Sequence, residues 1–397
     1  MKIRTTQNQI LIFISFLIIT FSNGRFFIDK GLDDPIAYVG YFLLLGSIAC
    51  GYLNLPTSYR WKNINIYFIL TIIVFSIGIL IQTMEFGMKI RLLLTMLIIA
   101  LTGLVSEGFI KTMDDIRAGG YGLLAGVIFV LLLSLVTGTS IYSNVSEGGW
   151  SRGLSCGMEH KNYFALIMLG SFSGIFISQK YGKRRPLDFM VLIAEIILIF
   201  LSHSRATWLL TAIFLMIIFG DKWNWAKRFI IRHYKLLIFL VICFCFFTIK
   251  WSYKNILRYS MTYMARINGF ANWINYHKDD LPHLIFGHAS IMFGTSDYYA
   301  TFRQITGSSG AVDMAVLNIL IKNGIIGYIG YFLIFGRSIR TALKTTEWKY
   351  KVSLLAIALP MILSAFSENC IAATAISYAP YCYTVMASLY RQCVNLK

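Results

Sequence analysis

Four basic side chains, one histidine and one acid, all set beside long apolar runs, are the residues with which this chain could do chemistry. Arg152 and Lys161 flank a glycine-containing stretch that ends in Asn162 and leads straight into an apolar run. Backbone amides at Gly153 and Gly157 can approach a phosphate closely, and Arg and Lys supply charge. Arg205 lies in Ser202-His-Ser-Arg-Ala-Thr-Trp208, a turn between two apolar runs close to membrane depth. A guanidinium held there costs about 2.5 kcal/mol or more unless it is paired or wet. Arg266 falls on a segment whose apolar residues Ile256, Tyr259, Tyr263, Ile267, Phe270 and Ile274 recur at helical spacing, the pattern of an interfacial amphipathic helix. His288 follows Phe286-Gly287 in a glycine-containing turn, and Asp313 immediately precedes another apolar run. The shared chemistry is anion handling, with Asp313 able to accept a proton from a hydroxyl in the transition state. Each residue also has a structural role open to it. Asn162 and Asp313 can cap helices, Arg205 can snorkel beside Trp208, and His288 can be a hydrogen-bonded structural residue. His277 and His283 rank below His288 as candidates.

The elements that must position these residues are helices in a membrane. Of 397 residues, 57% are hydrophobic and 14% charged, and mean hydropathy is +0.65. A soluble domain carries about 25% charge and under about 50% apolar residues. Apolar runs of roughly twenty residues match a hydrocarbon core about 30 Å thick, and they lack the alternation of a membrane β-barrel. The expectation is an all-α, polytopic transmembrane helical bundle forming one membrane domain. About twelve spans are expected, near 9–23, 35–55, 64–84, 90–110, 120–138, 163–179, 187–202, 206–220, 236–251, 314–336, 352–368 and 370–390. One large external loop, about 251–313, separates the ninth from the tenth.

The net charge of +18 does not point to nucleic acid, because the basic residues sit between the runs, as topology signals do. Alternating from a cytoplasmic N-terminus puts Lys180–Arg185, Lys222–Lys235 and Arg337–Lys351 inside. Thr139–Asn162, Ser204-Arg205 and the large loop then share the outer face. Met1–Asn23 has a basic start and an apolar run, but no small-residue cleavage site follows, so it is expected to remain as the first helix. The seven cysteines show neither a disulfide framework nor zinc-ligand spacing. No P-loop, GxSxG elbow, HExxH helix or Asp-x-Asp site is present.

Taken in order, the segments resemble the O-antigen polymerase and ligase superfamily of bacterial envelope enzymes, with the informative part running from about Arg152 to Gly327. Arg152…Gly157…Lys161-Asn162 opens a span. Ser204-Arg205-Ala-Thr-Trp208 resembles the family's Ser-Arg-Gly-x-Trp, with Ala206 in place of Gly. Arg266…Trp273…Pro282…Phe286-Gly287 resembles its Arg-containing external loop. Asp313 with Asn323-Gly324-Ile-Ile-Gly327 resembles the segment entering the next helix. The ligases carry a His near the position of Asp313. An acid there favours polymerase, although His288 could be a displaced substitute.

The resemblance implies a glycosyltransferase of the bacterial inner membrane with a periplasmic active face. Its donor would be an undecaprenyl-pyrophosphate-linked oligosaccharide and its acceptor a sugar of a lipid-linked repeat unit. Arg205 and Arg266 would clamp the departing pyrophosphate. Asp313 would orient or deprotonate the acceptor hydroxyl, while Arg152, Lys161, Asn162 and His288 bind substrate. No metal and no cofactor are expected if arginines carry that charge. Membrane lipid and a chain-length regulator protein are the further partners implied. Two alternatives remain: a ligase joining the finished glycan to lipid A–core, and a flippase of lipid-linked oligosaccharide. A flippase would call for ionisable residues at mid-membrane, where Glu195 is the clear acid, and for broken helices.

Overall fold

The computed structural model describes residues 5–143, 153–220, 261–293, 314–372, 374 and 376–394. These residues are helical, joined by short connections, with no strand among them and two isolated bridges, Gly24 to Met158 and Tyr142 to Leu154. In chain order the helices are α1 (Thr5–Phe21), α2 (Arg25–Asp29), α3 (Asp33–Leu53), α4 (Thr57–Ile81), α5 (Phe86–Gly108), α6 (Met113–Thr137), α7 (Lys161–Tyr181), α8 (Pro186–Leu201), α9 (Arg205–Phe219), α10 (Met261–Tyr276), α11 (Leu281–Phe286), α12 (Ser290–Phe293), α13 (Ala315–Lys344), α14 (Trp348–Ser364) and α15 (Tyr378–Val394). Residues Arg60–Asn65 of α4 and Leu101–Val105 of α5 are wound as π-helix.

Among the described residues six helices, α3 to α7 and α13, are long and apolar enough to cross a membrane, which corrects the expected twelve. Helices form at eleven of the twelve expected positions, but five of these are shorter than a span needs. The helices α1, α14 and α15 have 17 residues, α8 has 16 and α9 has 15. At 1.5 Å per residue, 17 residues reach roughly 25 Å, short of a core about 30 Å thick. The expected span at 236–251 lies outside the described residues. The bundle's outer surface is apolar: Phe42 is 80% exposed, Phe332 73% and Val136 85%. Such a surface suits lipid, not water, and the chain is a multi-pass helical membrane protein.

Close helix packing depends on small residues. One face of α6 presents Gly119, Gly122 and Gly126 to α1, where a Cβ on Gly122 would fall 2.5 Å from the Phe13 carbonyl oxygen. Further contacts run α1 to α3, α6 to α7, α4 to α13 and α9 to α14. One end of the bundle is basic, carrying Lys183, Arg184 and Arg185 between α7 and α8 and Arg340 and Lys344 at the end of α13. Two buried ion pairs brace the helices near it, Arg117 to Asp188 at 3.0 Å and Arg337 to Glu107 at 2.7 Å. The opposite end carries the candidate site.

Candidate functional site

At that opposite end, segments far apart in sequence interlock. The stretch before α7 packs on the α8–α9 turn: Leu154 N–H donates to the Leu201 carbonyl at 3.0 Å. A Cβ on Gly153 would lie 2.1 Å from the Ser202 carbonyl oxygen and 2.8 Å from Lys161 Cδ. Gly153 is therefore needed for contact with another loop, and its amide donates to the Ser143 hydroxyl at 3.3 Å. This corrects the expectation that its amide faces an anion. On the other side of the same stretch, Arg25 N–H reaches the Gly157 carbonyl at 2.9 Å.

The consequence is a convergence of charge. Lys161, the first residue of α7, and Arg205, the first residue of α9, lie close enough for their charges to act on one another. The α8–α9 turn is held by its own contacts. Ser204 and Thr207 hydroxyls pair at 3.0 Å, Trp208 Nε1–H donates to the Ile199 carbonyl at 3.0 Å, and the Trp208 ring stacks on Phe200 at 4.7 Å. His203 adopts φ +54° in this turn, and Arg205 leaves it exposed. Trp208 thus braces the turn itself, and Arg205 projects from a rigid support.

Asn162 does not cap α7. The cap is His160, whose Nδ1 accepts from Asn162 N–H at 3.2 Å. The Asn162 side chain instead donates to Glu368 Oε1 at 2.7 Å. Glu368 is 5% exposed and sits in the irregular stretch between α14 and α15. Its carbonyl accepts from Ala315 N–H at 3.2 Å, and the Ala365 carbonyl accepts from Val316 N–H at 3.2 Å. The first amides of α13 are therefore satisfied by this stretch, without a side-chain cap. Glu368 ties the start of α7 to the start of α13, and it was not singled out from the sequence. Its signal there is Ser367-Glu-Asn369, a polar break inside what reads as two consecutive spans. Replacing Glu368 by Ala leaves the Asn162 amide unpaired, so unfolding in mixed micelles should show a loss of about 1–3 kcal/mol. Glu368→Gln, which keeps an acceptor oxygen, should lose less than half of that.

Asp313 and Arg152 lie outside the described residues, Asp313 by one position before Met314. Arg266 falls within the backbone of α10, whose C-terminal half packs against α13. There Trp273, Ile291, Met314, Leu317, Leu320 and Ile321 form a second small core. Beside it, α13 is broken at Gly324 (φ +64°, ψ −164°). The freed carbonyls are answered: His288 N–H donates to Ile321 O at 2.7 Å, and Gln82 Nε2 donates to Lys322 O and Phe286 O, both at 2.8 Å. Buried Asn318, Lys322 and Asn323 make this half of α13 polar inside the protein.

His288 is not with Lys161 and Arg205. It belongs to a group of three, with His277 Nε2 3.0 Å from His288 Nδ1 and the His283 ring stacked 3.9 Å from that of His288. Burial lowers the pKa of His277, and it lowers that of His288 to about 4 with help from the neighbouring imidazoles. A hydrogen bond from His283 holds the Asp280 carboxyl below its usual range.

Along α13 runs an apolar groove of about 710 Å³. Val316, Ala365 and Ile371 line it near the Glu368 stretch, then Tyr331, Phe332 and Phe335, with Arg340 and Lys344 at the basic end. No family model and no characterised protein matches this chain.

Proposed function

We propose that the chain is a polymerase of lipid-linked surface glycan, moving a growing oligosaccharide from a polyprenyl pyrophosphate to an acceptor sugar. One observation carries this reading: a cationic end formed by Lys161 and Arg205 stands beside the start of α13, where a membrane-depth apolar groove also ends. Such a ligand has an anionic head and a long hydrocarbon tail, and the two features suit those two parts. The acceptor hydroxyl oxygen attacks the anomeric carbon while its proton passes to a carboxylate. The bond from that carbon to the pyrophosphate oxygen breaks, and the leaving group carries the charge away. Guanidiniums at Arg205 and Arg266 stabilise that charge. Asp313, next in the chain to Met314, is the carboxylate assigned to the acceptor. The positive residues at the opposite end support a cytoplasmic placement for that end, by the usual charge bias, and with it a periplasmic site.

The break in α13 beside buried Lys322 also suits a flippase, which places broken helices and charge at mid-membrane. Lipopolysaccharide banding from a strain lacking the chain separates the cases. Loss of a polymerase leaves core plus one repeat unit. Loss of a ligase leaves bare core with lipid-linked polymer, and loss of a flippase leaves bare core with unpolymerised precursor on the cytoplasmic leaflet. Either of the latter patterns overturns the polymerase. Within the polymerase reading, Asp313→Asn should reduce extension at least about 10²-fold, the scale of a general base. Its folded yield should be unchanged, since the first amides of α13 bond to the Glu368 and Ala365 carbonyls and not to a side-chain cap. Retained extension would return Asp313 to a structural role.

A further inference from the structure

The three histidines are spaced six and five residues apart, and they meet because α10 ends at Tyr276, the chain turns, and α11 ends at Phe286. One ligand nitrogen from each of His277, His283 and His288 lies within 4.8 Å of the other two. Their ring separations from His277 are 5.3 Å to His288 and 5.6 Å to His283, close to the roughly 5 Å expected of imidazoles sharing an ion at about 2.0–2.1 Å.

The partners of the remaining ring nitrogens are what a metal site needs. A metal-binding imidazole normally gives its other N–H to a carboxylate or a backbone carbonyl, which fixes the tautomer and aims the lone pair. His277 Nδ1 faces the Trp273 carbonyl at 3.2 Å, leaving Nε2 turned to the cluster. His283 Nδ1 is bonded to the Asp280 carboxylate. His277 is buried, whereas His283 and His288 are half-buried, so an ion has a way in.

We propose that His277, His283 and His288 bind one divalent cation of the zinc class, with Asp280 orienting His283 from behind. Three neutral nitrogen ligands suit borderline ions such as Zn²⁺ and Co²⁺ better than Mg²⁺ or Ca²⁺, which take oxygen ligands. Closing on the ion opens the His283–His288 stack, and the exposed side of His283 leaves room for that movement. The bound ion joins the end of α10 to the 287–289 turn seated in the α13 break. It thereby fixes the helix that carries Arg266. The inference concerns binding and goes beyond the transfer reaction proposed above, on which it does not depend.

The test uses the full chain in detergent micelles, stripped with a chelator and titrated with Zn²⁺ alone. One ion per chain is expected, with the unfolding temperature rising with Zn²⁺ concentration. Co²⁺ should give the visible absorption of a tetrahedral nitrogen site without thiolate charge transfer. His283→Ala, at a half-exposed position where the fold is not at risk, should lower binding at least tenfold. Asp280→Asn should weaken it about 10–100-fold, and His203→Ala should leave it unchanged. Absence of stoichiometric Zn²⁺, binding by His283→Ala equal to wild type, or a thiolate signature in the Co²⁺ form would each overturn the site. None of these readouts involves glycan transfer.

Discussion

Arg205→Ala is expected to abolish chain extension, lowering turnover about 10²–10³-fold, the usual cost of one donor aimed at developing charge. The protein should still insert and fold. Arg205 begins α9, and the turn before it keeps the Ser204–Thr207 pair and the Trp208 bond to Ile199 when Arg205 is replaced. What the substitution removes is a charge beside Lys161. Arg205→Lys should recover only part of the activity, because an ammonium cannot make the two parallel hydrogen bonds a guanidinium offers a phosphate. Arg266→Ala should fall in the same range. If both arginines hold one pyrophosphate, the double variant should lose far less than the product of the two single losses. Extension of a purified polyprenyl-linked repeat unit measures all four proteins, with folded yield as control. Full-length ladders from both single variants would remove the pyrophosphate clamp.

The parts of this arrangement that were legible in the sequence are those encoded locally. Apolar length gave helices, and a guanidinium placed in a two-span turn marked Arg205 as costly and therefore of interest. Span number was less legible, because twenty apolar residues do not reveal where a helix stops. The turn Ser202–Ser204 leaves α8 with 16 residues, as its expected range did, and the stretch 365–372 after α14 is irregular although it is largely apolar in composition. Partners distant in sequence were not legible at all. Asn162 and Glu368 are 206 residues apart, and Gln82 meets the 286–289 turn more than two hundred positions away. The histidines fit no single helix face, so their spacing gave no ligand pattern. Only the turn after Tyr276 brings them together.

The break in α13 has the larger structural consequence. Gly324→Ala should destabilise the protein more than any other alanine substitution in this helix. At φ +64° and ψ −164° the backbone occupies a region open essentially to glycine, at about 1–3 kcal/mol for any other residue. Space is lacking as well. A Cβ there would lie 2.2 Å from the Ile285 carbonyl oxygen and 2.6 Å from Gly287 N. Both neighbours are backbone, so relief requires moving the whole α11 turn, and overpacking adds about 1–3 kcal/mol. Together these approach the stability of a marginal domain, about 5–15 kcal/mol. The alternative for the chain is to straighten α13 and expel the turn, which frees Gln82 from Phe286 and Lys322 and separates His288 from Ile321. Gly336→Ala on the same helix is the comparison: its Cβ meets only Phe332 at 3.5 Å or more, so it should be neutral or stabilising by up to about 1 kcal/mol. Unfolding in mixed micelles ranks the three proteins. Equal stability of Gly324→Ala and wild type would mean that the break is not enforced by glycine and that the turn beneath it can part from α13 without cost.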